Sequence, residues 1–502
     1  MAGKHIDILS DAAELLNNKD KSIAIILHTS VVMADIRCLE KFFSDVKKSR
    51  QAKVYMTDNS IYELRLLQKF GSIRVFKEKA EFLLDRCSAK NAWSFDNIVS
   101  DKKRFIKNYH ADCVLFVFMQ PFAAQAMFDK IGPTKDIYYL SYDPLSDYRG
   151  PAVCRASVSD RVKQPRCVPL GNQHLNGDRV IGKDDWLNVS DAFGNETIKL
   201  KGNDLKFEFC GGEATLFTCK KLPNKIIKIY KNWMPGKGMS DKLKYLMAFN
   251  VGSGVSEHCV LPEKLVYLNS QLVGYVMKRE EGISLDGYLP NCSDTQRTQF
   301  IGTLLTALLE LQLAQFLVTD LSLGNVIVRN DNSFRILDTD GMQIRCYSGG
   351  GGTSPFGHPE VREDCFYKKL RTLEQVNFSI AVLLFYSLSG ILNPLTQVAD
   401  ALDEDDEFEW GRAKFPYDNN PITHGGIVAT GCRVNSEYLN MWREMPYQLR
   451  KCFVDTFTFR SVADIGAFAK AFSNAFGFEI KNNKKRRKKY GSKKEPRHHN
   501  YS

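Results

Sequence analysis

Residues 318–344 read VTDLSLGNVIVRNDNSFRILDTDGMQI, and this stretch constrains the chain's path more sharply than any other. Two short β-rich runs, NVIVRN and SFRILD, flank NDNS, whose Asn, Asp and Ser side chains favour a bend. A hairpin closed on that bend turns the chain back on itself. It delivers Asp338 beside Asn325, and Asn325 follows Asp320 by five residues. A carboxylate, an amide and a second carboxylate gathered in this way suit phosphoryl transfer from a nucleotide. One carboxylate orients the attacking hydroxyl, while the other groups offer oxygen ligands to magnesium.

The chain around this stretch changes character twice. Residues 1–145 alternate strand-like runs (SIAIILHTSVVMA, AKVYMT, DCVLFVFM, DIYYLSY) with helix-like segments, which predicts an α/β domain on a largely parallel sheet. Residues 146–199 are rich in Gly, Pro, Asp and Asn without a clear period, as expected of a linker. From residue 200 the run KFEFCGGEATLFTCKKLPNKIIKIYK reads as a β-meander with a glycine pair at its first bend. Later, SDTQRTQFIGTLLTALLELQLAQFL has helical spacing, with Ser293 as its N-cap. The pattern predicts an α+β domain over 200–475, strand-rich over 200–282 and helical over 283–475. The 502-residue length leaves room for both domains.

Composition excludes several classes. Thirteen cysteines without a CxxC pair argue against a disulfide framework and a zinc site. The first residues, MAGKHIDILSDAAELL, lack the apolar core of a signal peptide, and FSIAVLLFYSLSGIL is short for a bilayer span. A cytoplasmic protein without a membrane partner is the expectation. Its net charge of +11 is concentrated at one end: residues 481–502 hold ten Lys or Arg against one Glu. Such a block self-repels, so 476–502 is expected to be a disordered basic tail attracting nucleic acid or another polyanion. The acidic run 403–409, DEDDEFE, reads as a solvated loop.

The motifs over 200–475 resemble those of eukaryotic-type protein kinases, and more closely the divergent bacterial serine/threonine-kinase-like proteins. DLSLGN is similar to the catalytic loop, which implies Asp320 as the catalytic carboxylate and Asn325 as a magnesium ligand. LDTDG stands at the metal-binding position, implying Asp338 as the principal ligand with Asp340 assisting. CGGEAT resembles the glycine-rich loop, so the backbone of Gly211, Gly212, Glu213 and Ala214 would cover the phosphates. IIKIYK makes Lys228 the phosphate-pairing lysine. QLVGYVMKREEG resembles the strand and hinge facing the adenine, with Met277 on it. GTSPFGHPE resembles the end of an activation segment, with Glu360 in place and Tyr347, Ser348, Thr353 and Ser354 upstream of it. The implied activity is ATP- and magnesium-dependent phosphorylation of protein Ser or Thr, autophosphorylation included.

Departures from that pattern are equally specific. Val318 and Thr319 stand where the kinase pattern has His-Arg. No Glu lies in the helix-like SDKLKYLMAFN, where a partner for Lys228 is expected; Glu257 is the first candidate, beyond a Gly-rich break. Val376 replaces an Asp of the helical lobe. These losses keep open an alternative: a catalytically silent nucleotide-binding scaffold whose N-terminal domain and tail bind nucleic acid.

The N-terminal runs IAIILHTSVVMA, SIYELRLLQKF and ADCVLFVFMQPFAAQAMFDKIG loosely resemble a PIN-type domain, in which clustered carboxylates hold metal to cut RNA. His28 stands at the first expected Asp, Glu63 remains, Asp96 or Asp101 is a third candidate, and Gln120 replaces an acidic turn residue. The expectation is a degenerate PIN-like interaction module. Its plain alternatives are a core-edge His28 with a backbone partner and a Glu63 on a solvated helix face.

Overall fold

The computed structural model describes residues 23–33, 36–48, 52–86, 92–93, 113–117, 136–141, 152–156, 167–249, 254–350, 356–361, 366–391, 394–395, 415–418, 436–458 and 461–476. The basic tail, the acidic run 403–409, Thr353 and Ser354 lie outside them. Among the described residues no helix is long and apolar enough to cross a membrane.

The N-terminal sheet contains β1 (Ile23–Leu27), β2 (Ala52–Thr57), β3 (Ala92–Trp93), β4 (Cys113–Val117), β5 (Asp136–Ser141) and β6 (Ala152–Ala156), in the order β3-β2-β1-β4-β5-β6. Its first five strands pair in parallel, and β6 closes one edge antiparallel to β5. Parallel neighbours need crossovers. Three helices lie between its first strands: α1 (Ile36–Lys48), α2 (Asp58–Phe70) and α3 (Arg74–Arg86). Leu64, Leu67, Ala80 and Leu83, at helical spacing, are fully buried with Ile25 and Leu27.

The next strands are β7 (Gln173–His174), β8 (Trp186–Ser190), β9 (Thr197–Lys201), β10 (Leu205–Cys210), β11 (Ala214–Cys219), β12 (Leu222–Tyr230), β13 (Trp233–Met234), β14 (Pro262–Leu268) and β15 (Gln271–Lys278). All but the β7–β13 pair form one antiparallel sheet, ordered β10-β11-β12-β15-β14-β8-β9. The expected linker 146–199 therefore needs correction, because it contributes β6 to one sheet and β8 to the other. These strands are short, and the turn between β8 and β9 is polar, with Asp191 Oδ1 accepting the N–H groups of Phe193 and Asn195 at 2.9 Å each. Turn residues at that density erase the period by which a strand is read. The meander expected from KFEFCGGEATLFTCKKLPNKIIKIYK is present as β10, β11 and β12.

Helix α4 (Lys237–Phe249) follows β13. The helical half then holds α5 (Leu285–Tyr288), α6 (Asp294–Leu313), α7 (Leu373–Ser389), α8 (Ser436–Glu444), α9 (Tyr447–Phe457) and α10 (Ile465–Phe476). Ser293 caps α6 as expected: its hydroxyl accepts the Gln296 N–H while Gln296 reaches back to the Ser293 N–H. Thr372 and Gln375 repeat the device on α7. Fully buried Phe385, Trp442, Phe453 and Phe457 pack edge-on and stacked between α7, α8 and α9. Five small strands complete the described elements: β16 (Ile283–Ser284), β17 (Phe316–Leu317), β18 (Val326–Val328) with β19 (Phe334–Ile336), and β20 (Gln343–Ile344).

The N-terminal domain is joined to the rest through packed helices. Helix α2 lies against both α6 and α10. Asn59 Nδ2 donates to both carboxylate oxygens of Asp464, at 3.0 and 3.1 Å. After α2, Ser72 Oγ donates to Glu310 of α6 at 3.1 Å, and the Ile73 N–H reaches the other oxygen at 3.2 Å.

Candidate active site

Strand β12 alternates its side chains between two faces of the sheet. Ile227 and Ile229 enter a core with Val266, Val273 and Val276. Lys228 and Tyr230 therefore share the opposite face, and the register places Tyr275 of β15 directly across from Lys228. These three side chains are buried, and they meet the polar stretch from the helical half.

The hairpin expected there forms. Val326, Ile327 and Val328 pair with Ile336, Arg335 and Phe334. One further bond, from the Leu337 N–H to the Asn325 carbonyl at 2.8 Å, brings Asp338 next to Asn325. Asn325 in turn donates from Nδ2 to the Asp320 carbonyl (3.0 Å) and to Asp320 Oδ2 (3.2 Å). This leaves its amide oxygen, the atom that ligates cations, outside those bonds.

Asp338 sits in the left-handed region at φ 57°, a conformation costing a non-glycine residue roughly 1–3 kcal/mol and found mostly where surroundings enforce it. The enforcing contacts are visible. The Lys228 ammonium bonds to Asp338, and Thr339 Oγ1 donates to the Val260 carbonyl at 2.9 Å. The twist at Asp338 turns the next acid, Asp340, onto the sheet face. Its carboxylate accepts Lys228 Nζ at 2.8 Å, Tyr275 OH at 2.7 Å and Tyr230 OH at 2.8 Å.

The electrostatics follow. Burial alone would raise the Asp340 pKa, but the Lys228 charge and the hydrogen bonds from Lys228, Tyr275 and Tyr230 outweigh it and hold the carboxyl well below the usual range. Burial works against the Lys228 ammonium too, and Asp338 and Asp340 overcome it, pushing its pKa well above normal. Asp338 is raised, first by burial and then by the charge of Asp340, against the pull of Lys228. Asp340 is thus the firm anion of the trio.

Asp340, expected as an assisting magnesium ligand, has its carboxylate engaged by three donors from the sheet. Among the described residues no group of three or more His, Cys, Asp or Glu is arranged to hold a metal. Asn325 and Asp338 remain as a two-donor oxygen set. That matches magnesium, which usually takes one or two protein oxygens and fills its shell with water and phosphate.

The other expected residues fall around this centre. Gly211, Gly212 and Glu213 link β10 to β11, with the Gly211 N–H on the Ala214 carbonyl at 2.9 Å. Neither glycine has a positive φ, and a Cβ on Gly212 would meet nothing within 4 Å. Packing thus does not require Gly212; an open approach over the turn is what a side chain would obstruct. Glu213 accepts the Tyr367 hydroxyl at 3.2 Å, and its carboxyl is raised, first by burial and then by Asp340. Met277 is buried near the end of β15, paired with Ile226 and Pro262. Glu360 is exposed, its N–H on His358 Nδ1 at 3.2 Å. Ser348 is fully buried, which removes its hydroxyl from easy modification.

Several residues escaped the sequence reading. Tyr230 and Tyr275 were legible in principle, being on the Lys228 face by period and by pairing. Thr319, where the kinase pattern has Arg, is buried and donates to the carbonyls of Gly341 (2.7 Å) and Gly350 (3.0 Å), tying the loop before Asp320 to the segment beyond Asp340. Lys242 of α4 is fully buried, with Nζ 2.6 Å from the Asp340 carbonyl and 2.9 Å from that of Ser348. Its signal was its position: it falls within the apolar stripe of Met239, Leu243, Leu246 and Met247.

In the N-terminal domain, His28 Nδ1 accepts the Ser30 N–H at 3.2 Å, the backbone partner of a core-edge histidine. Glu63 is buried rather than on a solvated face. It accepts from Thr29 Oγ1 and from the Gly466 N–H, and burial followed by the charge of Asp464 pushes its carboxyl up to about 8. The N-terminus of α10 closes over it: a Cβ on Gly466 would lie 2.7 Å from the Asn59 carbonyl oxygen. Among the described residues Glu63 belongs to no group of three or more His, Cys, Asp or Glu that could hold a metal, and Asp96, Asp101 and Gln120 lie outside the described residues.

No family model matches the chain, and no curated protein does. Among solved structures the chain is similar to the ROP18 kinase domain in complex with AMP-PNP and sucrose. Identity is 13%, the match covers 60% of this chain and 88% of that one, and the TM-score is 0.29. So slight a likeness carries no functional argument, which rests on the side chains above.

Proposed function

We propose that residues 186–476 form an ATP- and magnesium-dependent phosphotransferase of the protein-kinase kind, acting on Ser or Thr hydroxyls of proteins. One observation carries the reading: Lys228 on one face of the antiparallel sheet reaches Asp338, which the β18–β19 hairpin seats beside Asn325 and Asp320. A lysine, two aspartates and an asparagine from distant parts of the chain thus converge beneath a glycine turn. Their types are those that neutralise and orient a triphosphate.

Roles follow from chemistry. Lys228 supplies a permanent cation to phosphate oxygens, and the Gly211–Gly212 backbone admits them closely. Asn325 and Asp338 would hold magnesium, which would offset phosphate charge when bound. Asp320, oriented by Asn325, accepts the hydrogen bond of the attacking hydroxyl and takes its proton. The Ser/Thr preference and the protein substrate rest on the family resemblance, as does nucleic acid or another polyanion as partner of the basic stretch 481–502.

Asp320→Asn tests the assignment. It is expected to lower kcat by about 10²–10⁴-fold, the usual contribution of a positioned base, while leaving ATP affinity within about threefold. Unchanged turnover removes Asp320 from the chemistry. Nucleotide binding without turnover in the wild type instead supports the silent scaffold.

A further inference from the structure

Kinase-like sites need the phosphate-pairing lysine held in place, and here the helix following its strand does not supply the partner: α4 reads KGMSDKLKYLMAF, its only acid is Asp241, and the ion pairs of Lys228 among the described residues are with Asp338 and Asp340. At the buried position facing the site, α4 carries a lysine instead. Lys242 is fully buried and places Nζ on two backbone carbonyls, those of Asp340 and Ser348. Asp340, from the segment itself, contacts Lys228.

We propose that Asp340 is the positioning partner of Lys228 and that Lys242 fixes Asp340 through its backbone, so that α4 controls Lys228 through the Asp338–Ser348 segment rather than by direct contact. This rests on the phosphotransferase reading and deepens it. In this arrangement the two aspartates of LDTDG divide their work. Asp338 faces Asn325 and the place a cation would take, and also touches Lys228, while Asp340 is buried on the sheet face and holds the lysine together with Tyr230 and Tyr275.

Three features support the division. Asp340 is 2% exposed, and its carboxylate takes three donors, all from β12 and β15. The tyrosines that share it also flank the ammonium, with Lys228 Nζ 5.7 Å from the ring centre of Tyr230 and 5.6 Å from that of Tyr275. Lys242, for its part, joins the two ends of one segment, Asp340 and Ser348, to a single helix position. A buried ammonium with two carbonyl acceptors is worth keeping only if that segment must hold one course. Among the described residues the hydrogen bonds of Lys242 go to the Asp340 and Ser348 carbonyls and not to Asp338 or Asn325, so its bonded route to the nucleotide runs through Asp340 and Lys228.

The test is equilibrium binding of a fluorescent ATP analogue to the full chain, with and without magnesium. The readouts are affinity without metal and the factor by which metal improves it. Asp338→Asn is expected to abolish the improvement while preserving metal-free affinity. Asp340→Asn should weaken binding about tenfold in both conditions, roughly the loss of one good ionic contact, leaving the ratio intact. Lys242→Met should behave like Asp340→Asn, and Lys242→Arg should recover part of the loss. Tyr275→Phe removes a single hydroxyl, so it serves if the charge changes prevent folding; it should weaken binding slightly at constant ratio.

If Asp340→Asn abolishes the magnesium improvement as Asp338→Asn does, Asp340 is a metal ligand and the inference is overturned. The same follows if Lys242→Met and Tyr275→Phe both bind like the wild type. A wild type that binds no analogue in either condition overturns the phosphotransferase reading itself, and the inference with it.

Discussion

Glu310 offers the sharpest test of how the two halves of the molecule are joined. Its carboxylate is completely buried in α6 and serves three donors from outside that helix: Ser72 Oγ at 3.1 Å, the Ile73 N–H at 3.2 Å, and His258 Nε2 in a close contact. Truncation to Ala strands the Ile73 N–H and leaves Ser72 Oγ and His258 Nε2 only each other, 3.1 Å apart. A buried donor left without an acceptor costs about 1–3 kcal/mol, and removing the desolvated carboxylate returns part of that, so the net loss should be about 3–5 kcal/mol. Glu310→Gln keeps one carbonyl oxygen for Ser72 and Ile73 and should cost only about 1–2 kcal/mol. Urea unfolding of the full chain reads both. Ser72→Ala in the Glu310→Ala background should add little, since the two groups share one interaction. A loss under about 1 kcal/mol for Glu310→Ala would refute the reasoning, because that carboxylate would then contribute no net bonding. The same junction lies close to the active site in bonding terms: the His258 carbonyl accepts the Ile336 N–H at 2.7 Å, two residues before Asp338.

Two further outcomes are expected. Thr319→Val keeps the shape but removes the hydroxyl that bonds the Gly341 and Gly350 carbonyls. It should lower kcat about tenfold and raise ATP KM by a smaller factor, measured by steady-state kinetics, since it loosens the segment that carries Asp340 and, through it, Lys228. Glu63 gives a pH signature. Its folded pKa, about 8, lies above its ordinary value of 4.5, so the folded state holds the extra proton between those limits. Stability should be full below about pH 4.5 and fall as pH rises through 8. Glu63→Gln should flatten that slope and melt higher than wild type at pH 9; an unchanged slope would show that Glu63 is not protonated in the fold.

The hairpin at Asn325–Asp338 was legible because its turn chemistry and its strand residues agree. The face of β12 carrying Lys228 was legible by alternation alone. Lys242 was not, since a helix is read by its apolar stripe and a lysine within it looks like an interruption rather than a buried ligand of backbone carbonyls. The burial of Asp340 against the sheet was not legible for a related reason. Spacing ranks Asp338 ahead of Asp340 but does not show that the left-handed turn at Asp338 sends the two acids to different faces. Glu63 shows the same limit at longer range, because the α10 N-terminus that buries it lies some 400 residues away in sequence, as the Asn59–Asp464 separation of 405 records.

The central claim is that the Lys228, Asp320, Asn325 and Asp338 constellation transfers phosphate. The most direct measurement is incubation of the purified chain with γ-labelled ATP and magnesium, alongside Asp338→Ala, followed by detection of label on the chain or on an added basic protein. The account predicts labelled Ser or Thr in the wild type and none in Asp338→Ala. Equal label in both, or none in either while nucleotide still binds, would contradict it.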